Sequence, residues 1–107
     1  MRIYCGVSLV SEQISGLNEK LASAANALKA LAHPIRLDII ISLENYEMSV
    51  NALVDTLEIP QAKISKHLAI LHAAHIIALR RDGRKHYYRL KNPELSNNIT
   101  ALVSDRL

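Results

Sequence analysis

The sequence predicts a small, mainly α-helical domain that carries one β-hairpin. Three observations support this fold class: half of the 107 residues are hydrophobic, the four aromatic residues are all tyrosines, and apolar residues recur at helical spacing in five segments. A core without Phe or Trp must be built from aliphatic side chains, which suits packed helices. The length fits a single domain.

The first two helices are predicted on either side of His33-Pro34. An apolar stripe with steps of three and four residues runs from Ile14 to Ala32 and predicts the first helix. Proline disfavours helix at the preceding residue but suits the first turn of a new one, so a second helix is expected from Pro34 to about Glu44. We therefore assign residues 1–13 to an N-terminal tail and residues 14–107 to the folded domain.

The third and fourth helices are predicted to form a tight pair. Ser49 is the expected N-cap of the third helix, and Pro60 can occupy the first position of the fourth. The apolar positions of the third helix end at Leu57, so only a few residues connect the two helices. They must turn sharply against each other, as in a helix-turn-helix.

The outer face of the fourth helix is unusual. At about 100° per residue, Ile64, Leu68 and Leu71 fall on one side and predict the core. The opposite side has small residues and lysine where an ordinary surface helix has long charged pairs. Its members are Ala62, Ser65, Lys66 and Ala69, with Lys63 at the edge. Such a face lets the helix backbone approach another surface closely.

A basic β-hairpin is predicted after this helix. Residues 76–81 and 85–90 are compatible with strands, and Asp82-Gly83 between them signals a tight turn. Like charges repel, so a cluster of cations at a hairpin tip is rarely there for stability. The expected cluster is Arg80, Arg81, Arg84 and Lys85.

The positive charge is concentrated in one third of the chain. The net charge of +3 divides into −3 for residues 1–60, +7 for residues 61–91 and −1 for residues 92–107. A local excess of this size indicates a polyanion at one face of the protein, most commonly a phosphate backbone. A solvated charged surface would produce the same pattern, so charge by itself decides little.

Three ordered motifs resemble the ArsR family of winged helix-turn-helix repressors. They are LKALAHPIRLDIIISL (28–43), PQAKISKHLAIL (60–71) and RRDGRKHYYRL (80–90). The resemblance covers residues 14–107 and implies the element order α-α-α-α-β-β-α. It also implies a homodimer formed through the first and last helices. Such a dimer binds double-stranded operator DNA, represses transcription and is released by an inducer, often a metal ion.

Apolar stripes on the first and last helices support the dimer independently. The last helix is expected after Asn92-Pro93, and its stripe includes Leu95, Ile99 and Leu102. Together the two stripes are broader than a small core can hide. A symmetric pair places two recognition helices about one DNA turn apart, roughly 34–36 Å, so the operator should be pseudo-palindromic.

The expected DNA contacts lie on the fourth helix and the hairpin. Gln can pair with adenine, Ala can touch a thymine methyl, and Ser can bind a phosphate or a base edge, while Lys and Arg neutralise phosphates. The predicted residues are Gln61, Ala62, Lys63, Ser65, Lys66, Arg81, Arg84 and Lys85. A winged helix that binds an acidic protein through the same face is the alternative.

The usual sensor sites of the resembled family are missing. Metal-sensing members carry Cys-Val-Cys where this chain has Ser49-Val50-Asn51, and neither Ser nor Asn suits a soft metal. Other members use His and acidic ligands on the last helix, but residues 92–107 contain no His or Cys. His72 and His75 have a spacing that can hold zinc, without an evident third ligand. We therefore predict no metal or cofactor, and the inducer stays open.

Neither catalysis nor a membrane location is expected. The chain has no Gly-rich phosphate loop and no nucleophile-base pair placed on separate elements, so we predict that it is not an enzyme. No segment reaches the roughly 18 apolar residues of a membrane span. The single cysteine, Cys5, excludes an internal disulfide and fits a reducing compartment, so the expected location is the cytoplasm.

Overall fold

The computed structural model describes residues 7–104, with side chains from residue 16 onward. The predicted order of helices and hairpin is confirmed, and one short strand is added. The elements are α1 (Val7–Leu31), α2 (Pro34–Ser42), β1 (Met48–Ser49), α3 (Val50–Leu57), α4 (Gln61–Ala73), β2 (Ile77–Asp82), β3 (Lys85–Leu90) and α5 (Leu95–Ser104).

An aliphatic core joins α2, α3, α4 and the sheet. Seven of its side chains are fully buried: Ile39, Ile40, Leu53, Ile64, Leu68, Leu71 and Ile77. The three core positions predicted on α4 are among them. Full burial of one Leu or Ile stabilises a fold by about 1.5–3 kcal/mol, so the inner face of α4 holds this helix firmly in place.

His33 and Pro34 separate α1 from α2 as predicted. The His33 Nδ1 accepts a hydrogen bond from the backbone N–H of Ile35 at 3.1 Å, and Pro34 is the first helical residue. Helix α1 begins at Val7, seven residues before the apolar stripe, so helix extends into the segment assigned to the tail. The domain boundary at residue 14 stays a prediction, and Cys5 lies outside the described residues.

A three-residue turn fixes the angle between α3 and α4. The predicted cap of α3 is confirmed, because the Ser49 Oγ accepts from the Ala52 N–H at 3.1 Å. Glu58 ends α3 in the left-handed region, with φ 56°, and its N–H donates to the Val54 carbonyl at 2.8 Å. Pro60 is the residue before α4 and not its first residue, and its carbonyl accepts from the Ile64 N–H.

The hairpin is the larger part of a three-stranded antiparallel sheet with the order β1-β3-β2. Asp82 pairs with Lys85, so the turn is Gly83-Arg84 and not the predicted Asp82-Gly83. Gly83 has φ +62°, which glycine adopts without a Cβ penalty, and glycine at the first central position is typical of a type II′ turn. The shift of one residue places Arg84 at the tip itself.

Helix α5 begins later than its sequence signals suggest. The Asn92 Oδ1 accepts a hydrogen bond from the Glu94 N–H at 3.1 Å, and the helix starts at Leu95. Ile99 is buried against the core, whereas Leu102 and Val103 are exposed. None of the helices within residues 7–104 is both long enough and apolar enough to cross a bilayer.

Candidate nucleic-acid interface

Helix α4 exposes the face that the sequence singled out. Its buried side holds Ile64, His67, Leu68 and Leu71. The exposed side carries Ala62, Ser65, Lys66 and Ala69, and Gln61 and Lys63 on its margins are exposed as well. The small side chains keep this surface narrow. A helix of this shape fits the major groove of B-DNA, which is about 12 Å wide.

A groove of about 540 Å³ separates α4 from the hairpin, and we call it the wing groove. It brings together four of the eight predicted contact residues. Gln61 and Ser65 line it from α4, and Arg84 and Lys85 line it from the hairpin. These two elements are adjacent in space, as simultaneous contact with one duplex requires.

The predicted cations have no carboxylate partners in the part of the chain with described side chains. Lys63, Lys66, Arg81, Arg84 and Lys85 are all exposed. The ion pairs found among residues 16–104 involve a different cation, Arg80. The five side chains therefore present uncompensated positive charge to the solvent, which attracts a polyanion.

Arg80 stabilises the hairpin and is not a free cation at its tip. Its Nη2 donates to the Glu47 Oε1 at 2.6 Å, and its Nε also donates to that carboxylate. The guanidinium lies over the Tyr87 ring, 4.6 Å from the centroid. Its hydrogen bonds lower the pKa of Glu47 and keep that carboxylate charged. The expected cluster of four tip cations is therefore reduced to Arg81, Arg84 and Lys85.

The wing groove contains residues that sequence reasoning did not select. Ser49 and Asn51 line it from the start of α3, and His86 lines it from β3. They arrive there because β1 pairs with β3, and a two-residue strand leaves no periodic signal in the sequence. Arg81 is opposite His86 across the hairpin but does not line this groove.

His67 is a packed residue of α4 and does not face outward. Its side chain is 7% exposed, and its ring centroid lies 4.5 Å from that of His33. The buried Nδ1 has no hydrogen-bond partner among the described residues. Burial lowers the pKa of His67, and the neighbouring His33, Arg36, Lys66 and Lys63 lower it further.

His75 ends α4 instead of lying on it. The residue has φ 61°, and the following Ile76 N–H donates back to the Leu71 carbonyl, which is the bond pattern of a Schellman cap. His72 and His75 therefore do not share a helix face. Within the described residues no group of three His, Cys, Asp or Glu side chains is placed to hold a metal ion.

This architecture is that of a winged helix-turn-helix domain, in which α3 and α4 are the helix-turn-helix and the β2–β3 hairpin is the wing. The solution structure of the homodimeric winged helix-turn-helix DNA-binding domain Mb0332 from Mycobacterium bovis superposes with a TM-score of 0.72. That structure is 27% identical to this chain and the match covers 82% of this chain and 83% of the other.

The chain belongs to the ArsR family. The family described as "Bacterial regulatory protein, arsR family" matches residues 33–78. The Biofilm growth-associated repressor of Agrobacterium fabrum is 34% identical over 91 residues, which are 85% of this chain and 78% of the relative. The HTH-type transcriptional repressor SmtB of Mycobacterium tuberculosis is 38% identical over 86 residues, and this match covers 80% of this chain. The chain spans 64% of the length of SmtB. Both relatives are repressors by name, and SmtB is a transcriptional one.

Proposed function

We propose that this chain is a homodimeric DNA-binding repressor whose α4 enters the major groove while the wing contacts the adjacent backbone. The observation that carries this proposal is the outer face of α4, where Ala62, Ser65 and Ala69 are exposed directly opposite the buried core residues. A narrow, cationic helix face beside a cationic wing suits a groove bordered by phosphates better than a flat protein surface.

The eight predicted residues divide by chemistry into base and phosphate contacts. Gln61 and Ser65 can read base edges, and Ala62 can meet a thymine methyl group. The cations supply phosphate contacts, which position the protein without reading sequence. They are Lys63, Lys66, Arg81, Arg84 and Lys85. Arg84 lies in the turn, at the end of the wing.

The exposed surface of α1 supports a dimer formed by α1 and α5. Every residue from 16 to 26 is exposed, so among the described side chains of α1 only those near its C-terminal end are buried against the subunit. The radius of gyration is 17.3 Å, whereas a compact domain of 100 residues has about 13 Å. Among residues 16–104, the large exposed apolar side chains on these two helices are Leu17, Leu21, Leu28, Leu102 and Val103. A second subunit would bury this surface.

A binding titration tests the proposal directly. Fluorescence anisotropy with the DNA upstream of the protein's own gene should show saturable binding that weakens steeply with salt, and a scrambled duplex is the control. Because a symmetric dimer places its two recognition helices one helical turn apart, the protected site should be a pseudo-palindrome with half-sites roughly 34–36 Å apart. If the chain binds neither duplex but does bind an acidic protein, the alternative of a protein-interaction module would be supported.

The proposal leaves the inducer open and places the protein in the cytoplasm, where a DNA-binding repressor acts. Ser49 occupies the position of the first cysteine in metal-sensing members, but its Oγ is already used to cap α3. The DNA complex can be titrated with zinc, cadmium, arsenite and an oxidant. The agent that releases the protein from DNA would identify the class of signal.

A further inference from the structure

The C-terminal end of α4 borders a second depression, of about 450 Å³. Asn26, Lys29 and Arg36 supply its polar groups from α1 and α2. Its apolar wall is formed by Ala30, Ile70, Ala73 and Ala74. We call it the α1–α4 depression. It shares no residue with the wing groove.

The polar side-chain groups of the depression are all hydrogen-bond donors or cations, apart from the Asn26 amide oxygen. None of its seven lining residues is acidic, and neither Lys29 nor Arg36 forms an ion pair with a described residue. Arg36 also lies close enough to His67 for its charge to lower the pKa of that residue. Cations without an acidic neighbour attract anions.

Arg36 uses few of its hydrogen-bond donors within the described residues. An arginine has five N–H donors. The hydrogen bonds described for Arg36 account for one of them, from Nη1 to the Ala30 carbonyl at 3.0 Å. Its Nε is buried without any partner within the described residues. The Nη donors that no described residue uses remain available to an anionic acceptor from outside the chain.

We propose that the α1–α4 depression binds an oxyanion, either a phosphate of the DNA backbone or the acidic group of a small organic anion. Arg36 and Lys29 would hold the charge, since guanidinium and ammonium groups form strong charge-assisted hydrogen bonds to phosphate and carboxylate. The apolar wall would contact the rest of the ligand.

Each source of the oxyanion has a distinct consequence. The wing groove lies beside the first half of α4, and the depression lies beside its C-terminal end. A backbone phosphate bound there would extend the DNA contact to the C-terminal end of α4, and this arm rests on the proposed function. A free organic anion would instead join α1 to α4, which links the proposed dimer helix to the recognition helix.

NMR of the side-chain N–H groups of Arg36 and Asn26 tests the site. The unliganded protein is titrated with inorganic phosphate and with benzoate at matched ionic strength, with chloride as the reference, and then with the operator duplex. We expect a saturable shift of the Arg36 Nε–H resonance. Lys29→Glu should abolish it, whereas Lys91→Glu, an exposed charge reversal after β3, should preserve it.

The outcomes separate the two sources. If phosphate or benzoate shifts the resonance, and the DNA affinity of Lys29→Ala keeps its salt dependence, the oxyanion is a free ligand. If only DNA shifts the resonance, the oxyanion is a backbone phosphate. In that case Lys29→Ala should make the salt slope shallower by about 1 for each phosphate that is no longer neutralised. No response to any of these anions, or an equal response in Lys29→Glu, overturns the proposal. If no duplex binds, the proposed function fails, while the free-anion titration still tests the depression.

Discussion

Arg84→Ala should weaken DNA binding without weakening the fold. Arg84 lies at the tip of the wing and is exposed, and its side chain forms no hydrogen bond or ion pair with any residue between 16 and 104. Among non-glycine residues with described backbones, only Glu58 and His75 have positive φ, so alanine at position 84 introduces no strain. The free energy of unfolding should therefore change by less than about 0.5 kcal/mol.

The size of the effect on binding follows from the number of uncompensated cations. Each subunit presents five at the proposed interface, so a dimer can neutralise up to ten phosphates there, and the slope of log K against log salt would be about −9. Arg84→Ala removes one phosphate contact per subunit, which makes the slope shallower by about 1.8. Because phosphates carry no sequence information, operator and scrambled DNA should lose affinity in the same proportion.

Anisotropy titrations at four salt concentrations between 50 and 200 mM measure this slope, and thermal unfolding checks the fold. Lys66→Ala should behave like Arg84→Ala, since Lys66 is equally exposed on the outer face of α4. Lys91→Ala is the matched control, an exposed cation that lines neither groove. An unchanged slope in Arg84→Ala, or an equal change in Lys91→Ala, would refute the assignment of the wing as a phosphate contact.

Three further predictions test the dimer, the buried histidine and the wing. Leu21→Glu adds a charge to a side chain that is 56% exposed in the subunit, so sedimentation should show monomers, and the helix content should be unchanged. A persistent dimer would contradict the α1 interface. The folded state holds the pKa of His67 below its ordinary value of 6.5, so the unfolded chain binds more protons, and stability should fall as pH decreases through 6.5. His67→Gln should reduce this loss in thermal unfolding between pH 7.5 and 5.5, whereas the exposed His72→Gln should leave it unchanged. Glu47→Ala removes the carboxylate that holds Arg80, so amide hydrogen exchange should accelerate in β2 and β3 while α2 keeps its protection. If β2 and β3 exchange at the same rates with and without the substitution, the pair does not order the wing.

The sequence predicted elements whose signals are local and periodic. The α4 core at Ile64, Leu68 and Leu71 follows from helical spacing, and the Ser49 cap follows from a single side-chain preference. The Gly83-Arg84 turn was missed by one residue, because the register depends on cross-strand pairing and not on the turn sequence alone. The wing groove could be predicted only in part, since its α3 side depends on the pairing of β1 with β3.

The partner of Arg80 shows most clearly what sequence reasoning could not see. Arg80 and Glu47 are 33 residues apart, and no local pattern distinguishes Arg80 from the unpaired cations beside it. The distinction matters for function, because a cation already held by a carboxylate gains less from a phosphate than an uncompensated one. Arg80 therefore joins the wing to Glu47, which lies just before β1, whereas Arg84 has no carboxylate partner among the described residues. The affinity for DNA should depend on the uncompensated cations. The geometry of their contacts should depend on Arg80, the cation that is paired.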